Sequence, residues 1–111
     1  MKSIILEIEA EILNAEKKHG NQSGLKLVAM MNRNKDRRAD EYEIPTAIRA
    51  QFLCDTSFKR KEMTHAHIII EEIAEFVDAE NVLDQRKELI QVAATVINAI
   101  KAIDCQLHKN P

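Results

Sequence analysis

The sequence predicts an all-α protein, and two observations carry that reading. Only two glycines and two prolines occur in 111 residues, so few positions can break a helix. Apolar residues recur at steps of three and four along most of the chain, the spacing of one helical face.

The first helix spans Ser3 to about Lys18, where Ile4, Ile5, Ile8, Ile12 and Leu13 form one stripe and Gly20 stands where helices commonly stop. A short apolar piece, LKLVAMM, follows. The next stretch, NRNKDRRADEYE over 32–43, has almost nothing to bury and reads as a mobile loop or a solvated helix. Pro45 suits the first turn of another helix, which carries Ile48, Phe52 and Leu53 and fades at Lys59 to Lys61. Thr64 offers an N-cap for the helix HIIIEEIAEFVDAE. A last helix begins near Asp84 and runs to about Leu107.

Length and charge set limits on function. A chain of this size makes one compact domain, 1–111, that buries only about 60 to 70% of its unfolded surface, so a partner chain would help it. The 16 basic and 18 acidic residues leave a net charge of -2, which provides no overall positive field for nucleic acid or an anionic membrane. No apolar run approaches the roughly 20 residues that a bilayer crossing needs. Cys54 and Cys105 lack the spacing of a zinc site or redox pair, and the start MKSIILEIEAEIL meets acids too early for a signal peptide. These features predict a cytoplasmic protein with reduced thiols.

The most apolar segment is also acidic. On a helical wheel set at Ile68, the residues Phe76, Ile69, Ile73, Val77, Ile70 and Ala74 fill an arc from about 80° to 240°. Glu71, Glu72, Glu75 and Asp78 fall outside it, with Ile68 and Ala79 among them. Glu72 and Glu75, three apart, project side by side from adjacent turns. In the final helix, apolar residues surround nearly the whole cylinder, which predicts burial on most sides. Its one polar strip holds Glu88, Gln91, Thr95 and Asn98, groups that are costly to bury without partners. Packing that strip against the acid stripe across the short NVLD connection gives an antiparallel pair. Three glutamates then converge on one cavity.

Convergent carboxylates repel, so one must take a proton unless a cation compensates. Magnesium is the expected ion, with manganese as the other hard cation that suits oxygen donors. Such a centre favours attack of water on a phosphoanhydride. A Glu-x-x-Glu pair also arises by chance about once in a chain this rich in glutamate. The competing reading makes these acids a solvated face or ion-pair partners of Arg86, Lys87 and Lys101.

EEIAE, followed twelve residues later by ELIQ, resembles the EExxE and ExxD motifs of the MazG-like, all-α nucleoside triphosphate pyrophosphohydrolases, with the likeness closest to small phage and bacterial members. It covers about the last half of the chain, from QFLCD through MTHAHIIIEEIAEF to ELIQVAATVINAIKAID, while AEKKHGNQ is more faintly similar to the end of a first helix in such proteins. The resemblance implies a bundle of about four to five helices, assembled as a homodimer or homotetramer. It implies magnesium-dependent hydrolysis of a (deoxy)nucleoside triphosphate to the monophosphate and pyrophosphate. Position by position, Glu72 and Glu75 match the first metal-binding pair and Glu88 the first acid of the second pair. Glu71 could hold the attacking water or serve as a second ligand. Asn98 lies where many members place an asparagine near the nucleotide. Gln91 departs from the pattern: it stands where most characterised enzymes have a fourth carboxylate, and its amide offers a metal one neutral oxygen but neither charge nor basicity. A nucleotide-binding or regulatory module with weakened catalysis is therefore the alternative function.

Other residues have plainer readings beside functional ones. Lys59 to Lys61, Lys17, Lys18 and the Arg33 to Arg38 segment could hold phosphates, although a charge run is more often a solvated surface. Among these, Lys59 and Lys61 are the favoured phosphate contacts. His19, beside Gly20, suits a helix C-terminus and is a lesser candidate for substrate contact. His65 and His67 point about 200° apart on a helix and so cannot easily share a metal, which leaves capping or packing. Cys54, beside Phe52 and Leu53, reads as a small core residue.

Overall fold

The computed structural model describes residues 2–28 and 35–109, which form five α-helices with no strand among them. They are α1 (Lys2–His19), α2 (Lys35–Glu41), α3 (Ala47–Lys59), α4 (His65–Asp78) and α5 (Val82–Lys109). The all-α reading therefore holds. Arg33 and the end of LKLVAMM lie outside the described residues. Two compact units can be distinguished: α1 belongs to one with the part of α5 from Ile100 onward, and α2, α3, α4 and α5 up to Ala99 belong to the other. No helix among the described residues is long and apolar enough to cross a membrane.

Local chemistry sets most helix ends. Gly20, at φ 73°, ends α1 with its N–H donating to Glu16 O at 2.8 Å, a left-handed stop that costs glycine little. The segment 35–41, read as either loop or solvated helix, is helical. Its one apolar residue, Ala39, is buried on the side where α2 meets α4. Pro45 proves to lie one residue before the cap of α3 and not in its first turn. Thr46 is the N-cap, its hydroxyl accepting from Arg49 N at 3.1 Å.

Thr64 caps α4 as expected. Its hydroxyl accepts from His67 N at 3.3 Å, while the His67 ring returns Nδ1 as acceptor for Thr64 N at 3.0 Å. This is a capping box with histidine in the place that Glu or Gln usually takes. The far ring nitrogen, Nε2, lies 3.1 Å from Ser57 Oγ on α3, so one imidazole both caps α4 and ties it to its neighbour. α5 begins two residues earlier than Asp84, because Asn81 Oδ1 accepts from Asp84 N at 2.9 Å and its amide donates to Asp84 Oδ2 at 2.8 Å.

Two burial expectations need correction. Ile48, Phe52 and Leu53 do not face the interior of α3; Ile48 is 79% exposed. The buried positions are Ala50 and Cys54, which oppose a helix whose own buried residues are Ala74 and Val77. Small side chains let two helix backbones approach closely, so residue size decides which face turns inward. α5 is likewise not enclosed on most sides. Leu89, Ile90, Val96 and Ile103 are exposed, since a single chain with this few helices cannot surround a 28-residue rod.

Candidate metal centre

α4 turns Ala74 and Val77 inward, and that rotation fixes where its acids go. Glu71, Glu72, Glu75 and Asp78 are all half-buried along the edge that borders α5 and the start of α3. From α5, Glu88 comes to meet them. One oxygen from each of Glu72, Glu75 and Glu88 lies within 4.8 Å of the others. The three acids matched by motif are thus the three that the fold brings together.

Two oxygens of this cluster have no partner among the described residues. Glu72 Oε2 and Glu88 Oε2 are buried and accept no hydrogen bond, an arrangement that costs roughly 1 to 3 kcal/mol for each neutral polar group and more for a charged one. The electrostatics point the same way. Burial, followed by the charges of Glu72, Glu88 and Glu71, pushes the Glu75 carboxyl up to about 7. Glu72 is also raised, chiefly by burial and then by Glu88 and Glu71, against a hydrogen bond from Glu75 that favours its charged form. Both shifts favour a proton on the cluster, through burial first and the neighbouring acids next. A divalent cation would replace that proton and satisfy the orphaned oxygens, so the residues present fit a hard, oxygen-seeking ion.

Glu71 stands apart from the three-oxygen cluster. It is the nearest of the acids that act on the Cys54 thiol, which burial first, and then Glu71, Asp55 and Glu72, push up to about 11. A thiol held so firmly protonated is no nucleophile at neutral pH, in keeping with a packing role for Cys54. Its Sγ also lies 3.6 Å from Met63 Sδ.

Glu75 and Glu88 open onto a cavity of about 690 Å³ between the first turn of α3 and the α4–α5 junction. Its other acids, Asp78, Glu80 and Asp84, were not singled out as site residues from the sequence. Asp78 had a signal, since it follows Glu75 by three residues, and its Oδ1 is also buried without a partner among the described residues. Glu80 sits in the connection and Asp84 in the first turn of α5, before the helix has made a pattern to read. No lysine or arginine lines this cavity among the described residues.

The remaining candidates lie elsewhere. Gln91 is half-buried one turn after Glu88. Asn98 is exposed, about 15 Å farther along the helix than Glu88 at 1.5 Å per residue. Lys59 and Lys61 flank a different hollow with Phe58 and Met63. Arg38 Nη1 donates to the carbonyls of Ala79 and Asp78, at 3.2 and 3.4 Å, and so closes the C-terminal end of α4. His19 occupies the exposed last turn of α1, in the first unit. Phe52 is exposed with the Arg49 guanidinium 5.6 Å from its ring centre.

Comparison of the chain with family models, with curated proteins and with solved structures finds no match to any of them.

Proposed function

We propose that this protein is a magnesium-dependent (deoxy)nucleoside triphosphate pyrophosphohydrolase, working in the cytoplasm as a homodimer or homotetramer and releasing the monophosphate and pyrophosphate. The observation that carries the reading is the convergence of Glu72, Glu75 and Glu88 with two buried oxygens left unpaired. The EExxE-type motif and its spacing to Glu88 support the same chemistry.

Glu72, Glu75 and Glu88 would hold the ion, with Mn²⁺ as a substitute for Mg²⁺. When bound, the ion lowers the pKa of a coordinated water and neutralises charge on the polyphosphate. Glu71, beside the cluster, orients the attacking water and receives its proton at a carboxylate oxygen. The cavity wall requires the substrate to arrive as a metal complex, because Asp78, Glu80 and Asp84 would repel bare phosphates.

Gln91 favours a second reading, in which the pocket binds nucleotide without turning it over, since the amide withholds the charge of a fourth acid. One experiment separates the two. The protein is incubated with a panel of nucleoside triphosphates with and without magnesium, pyrophosphate is followed, and the assay is repeated with Glu72→Gln and Glu75→Gln. Metal-dependent release that disappears in both variants supports hydrolysis. Tight nucleotide binding without release supports the binding module, and neither activity defeats both readings.

A further inference from the structure

The start of α5 inverts the usual order of burial. Val82, Leu83 and Ile90 are 70%, 80% and 53% exposed, while Gln85, at 8%, is the one buried polar residue among the described residues. Apolar packing therefore does little to hold this end of the helix, and a buried amide is costly there without a partner. The partner is Ala79 O, to which Gln85 Nε2 donates at 3.4 Å.

Ala79 is the C-cap residue of α4, in an extended conformation, and its carbonyl takes a second donor. Arg38 Nη1, from α2, reaches the same oxygen at 3.2 Å and the neighbouring Asp78 O at 3.4 Å. A carbonyl has two lone pairs, so it can accept from both at once. α2, α5 and the end of α4 thereby meet at one atom. The guanidinium charge also lies at the negative end of the α4 dipole.

This knot adjoins the acid cluster on both helices. Along α4, Ala79 follows Glu75 by one turn; along α5, Gln85 precedes Glu88 by three residues and projects from the adjacent turn. The bond from Gln85 to Ala79 closes the connection between the two helices into a ring. It limits how far α5 can tilt or rotate from α4, and so whether an oxygen of Glu88 stays within 4.8 Å of Glu72 and Glu75. An amide suits the task, since an ionised carboxylate at this position could not donate and would add charge beside the centre.

We infer that Gln85, together with Arg38, positions the metal centre, holding Glu88 in register with Glu72 and Glu75 through the shared Ala79 carbonyl. This rests on the metal-centre reading above and not on the nucleotide chemistry.

Manganese titrations of the full chain, followed by electron paramagnetic resonance, test it, with circular dichroism to verify that each variant stays helical. Gln85→Met keeps the length of the side chain and removes the donor; affinity should fall by about tenfold, the effect typical of lost outer partners of metal ligands. Arg38→Met, at a half-buried position where folding is less at risk, should give a smaller loss in the same direction. Coupling to Glu88 separates positioning from plain stability. In a Glu88→Gln background, Gln85→Met should cost much less affinity, because its effect passes through the side chain already altered. A loss of the same size in both backgrounds overturns the positioning role, as does reduced stability with unchanged manganese affinity. Either result leaves the metal centre standing. A wild type that binds no manganese overturns the centre and the role of Gln85 with it.

Discussion

Glu75 and Glu88 reside on different helices, yet their carboxylate oxygens lie within 4.8 Å of each other. Like charges at that separation cannot both persist in a half-buried site without compensation. The pair is therefore stable with a proton or with a cation, and the choice between them depends on pH.

The metal-free protein should gain stability on acidification. The folded Glu75 carboxyl is raised from 4.5 to about 7, so its contribution is fully present below about 4.5 and is lost as pH rises through about 7. Thermal melts without metal should give a higher Tm at pH 5 than at pH 8, and Glu75→Gln should reduce that difference. Added magnesium should raise Tm more at pH 8 than at pH 5, because binding requires the ionised form.

Glu88→Gln removes a charge from the centre and keeps the shape of the side chain. Manganese titrations followed by electron paramagnetic resonance should show affinity reduced by about tenfold or more, since ligand charge sets much of the affinity of such sites. An unchanged affinity would place the ion elsewhere.

Gln91→Asp supplies the fourth carboxylate that the resembling enzymes carry. If the missing charge limits catalysis, pyrophosphate release should rise in magnesium with little change in the helical circular dichroism signal. A fall in rate would instead make the amide an active part of the centre.

Ala74 is 1% exposed on the side of α4 that meets α3. Ala74→Leu should cost about 1 to 3 kcal/mol in urea unfolding, because the added methylenes must push two close backbones apart. Thr64→Ala removes the cap of α4 and should cost about 1 kcal/mol by the same measurement.

Periodicity is enough to predict the acid edge of α4, which depends only on the turn of the helix, but of the polar strip read on α5 only Glu88 joins those acids, while Thr95 donates to Val92 O and Asn98 is exposed. The Thr64 cap was equally legible. The inward face of α3 was not: Ile48 and Phe52 outrank Ala50 and Cys54 in hydrophobicity, but the close approach of α4 admits only small groups. α2 has no sequence pattern because a single alanine makes none, and Ala39 is buried only where α4 supplies a wall. Asp84 marked the start of α5 two residues late, for its own carboxylate is the partner and Asn81 is the cap. Full enclosure of α5 was inferred from its sequence as though one chain had to provide every neighbour.

The two thiols are chemically unequal, with Cys54 buried and Cys105 exposed. A maleimide at neutral pH should consequently modify position 105 alone. A fluorophore or nitroxide could be attached near the end of α5 in the natural sequence, with no cysteine added or removed.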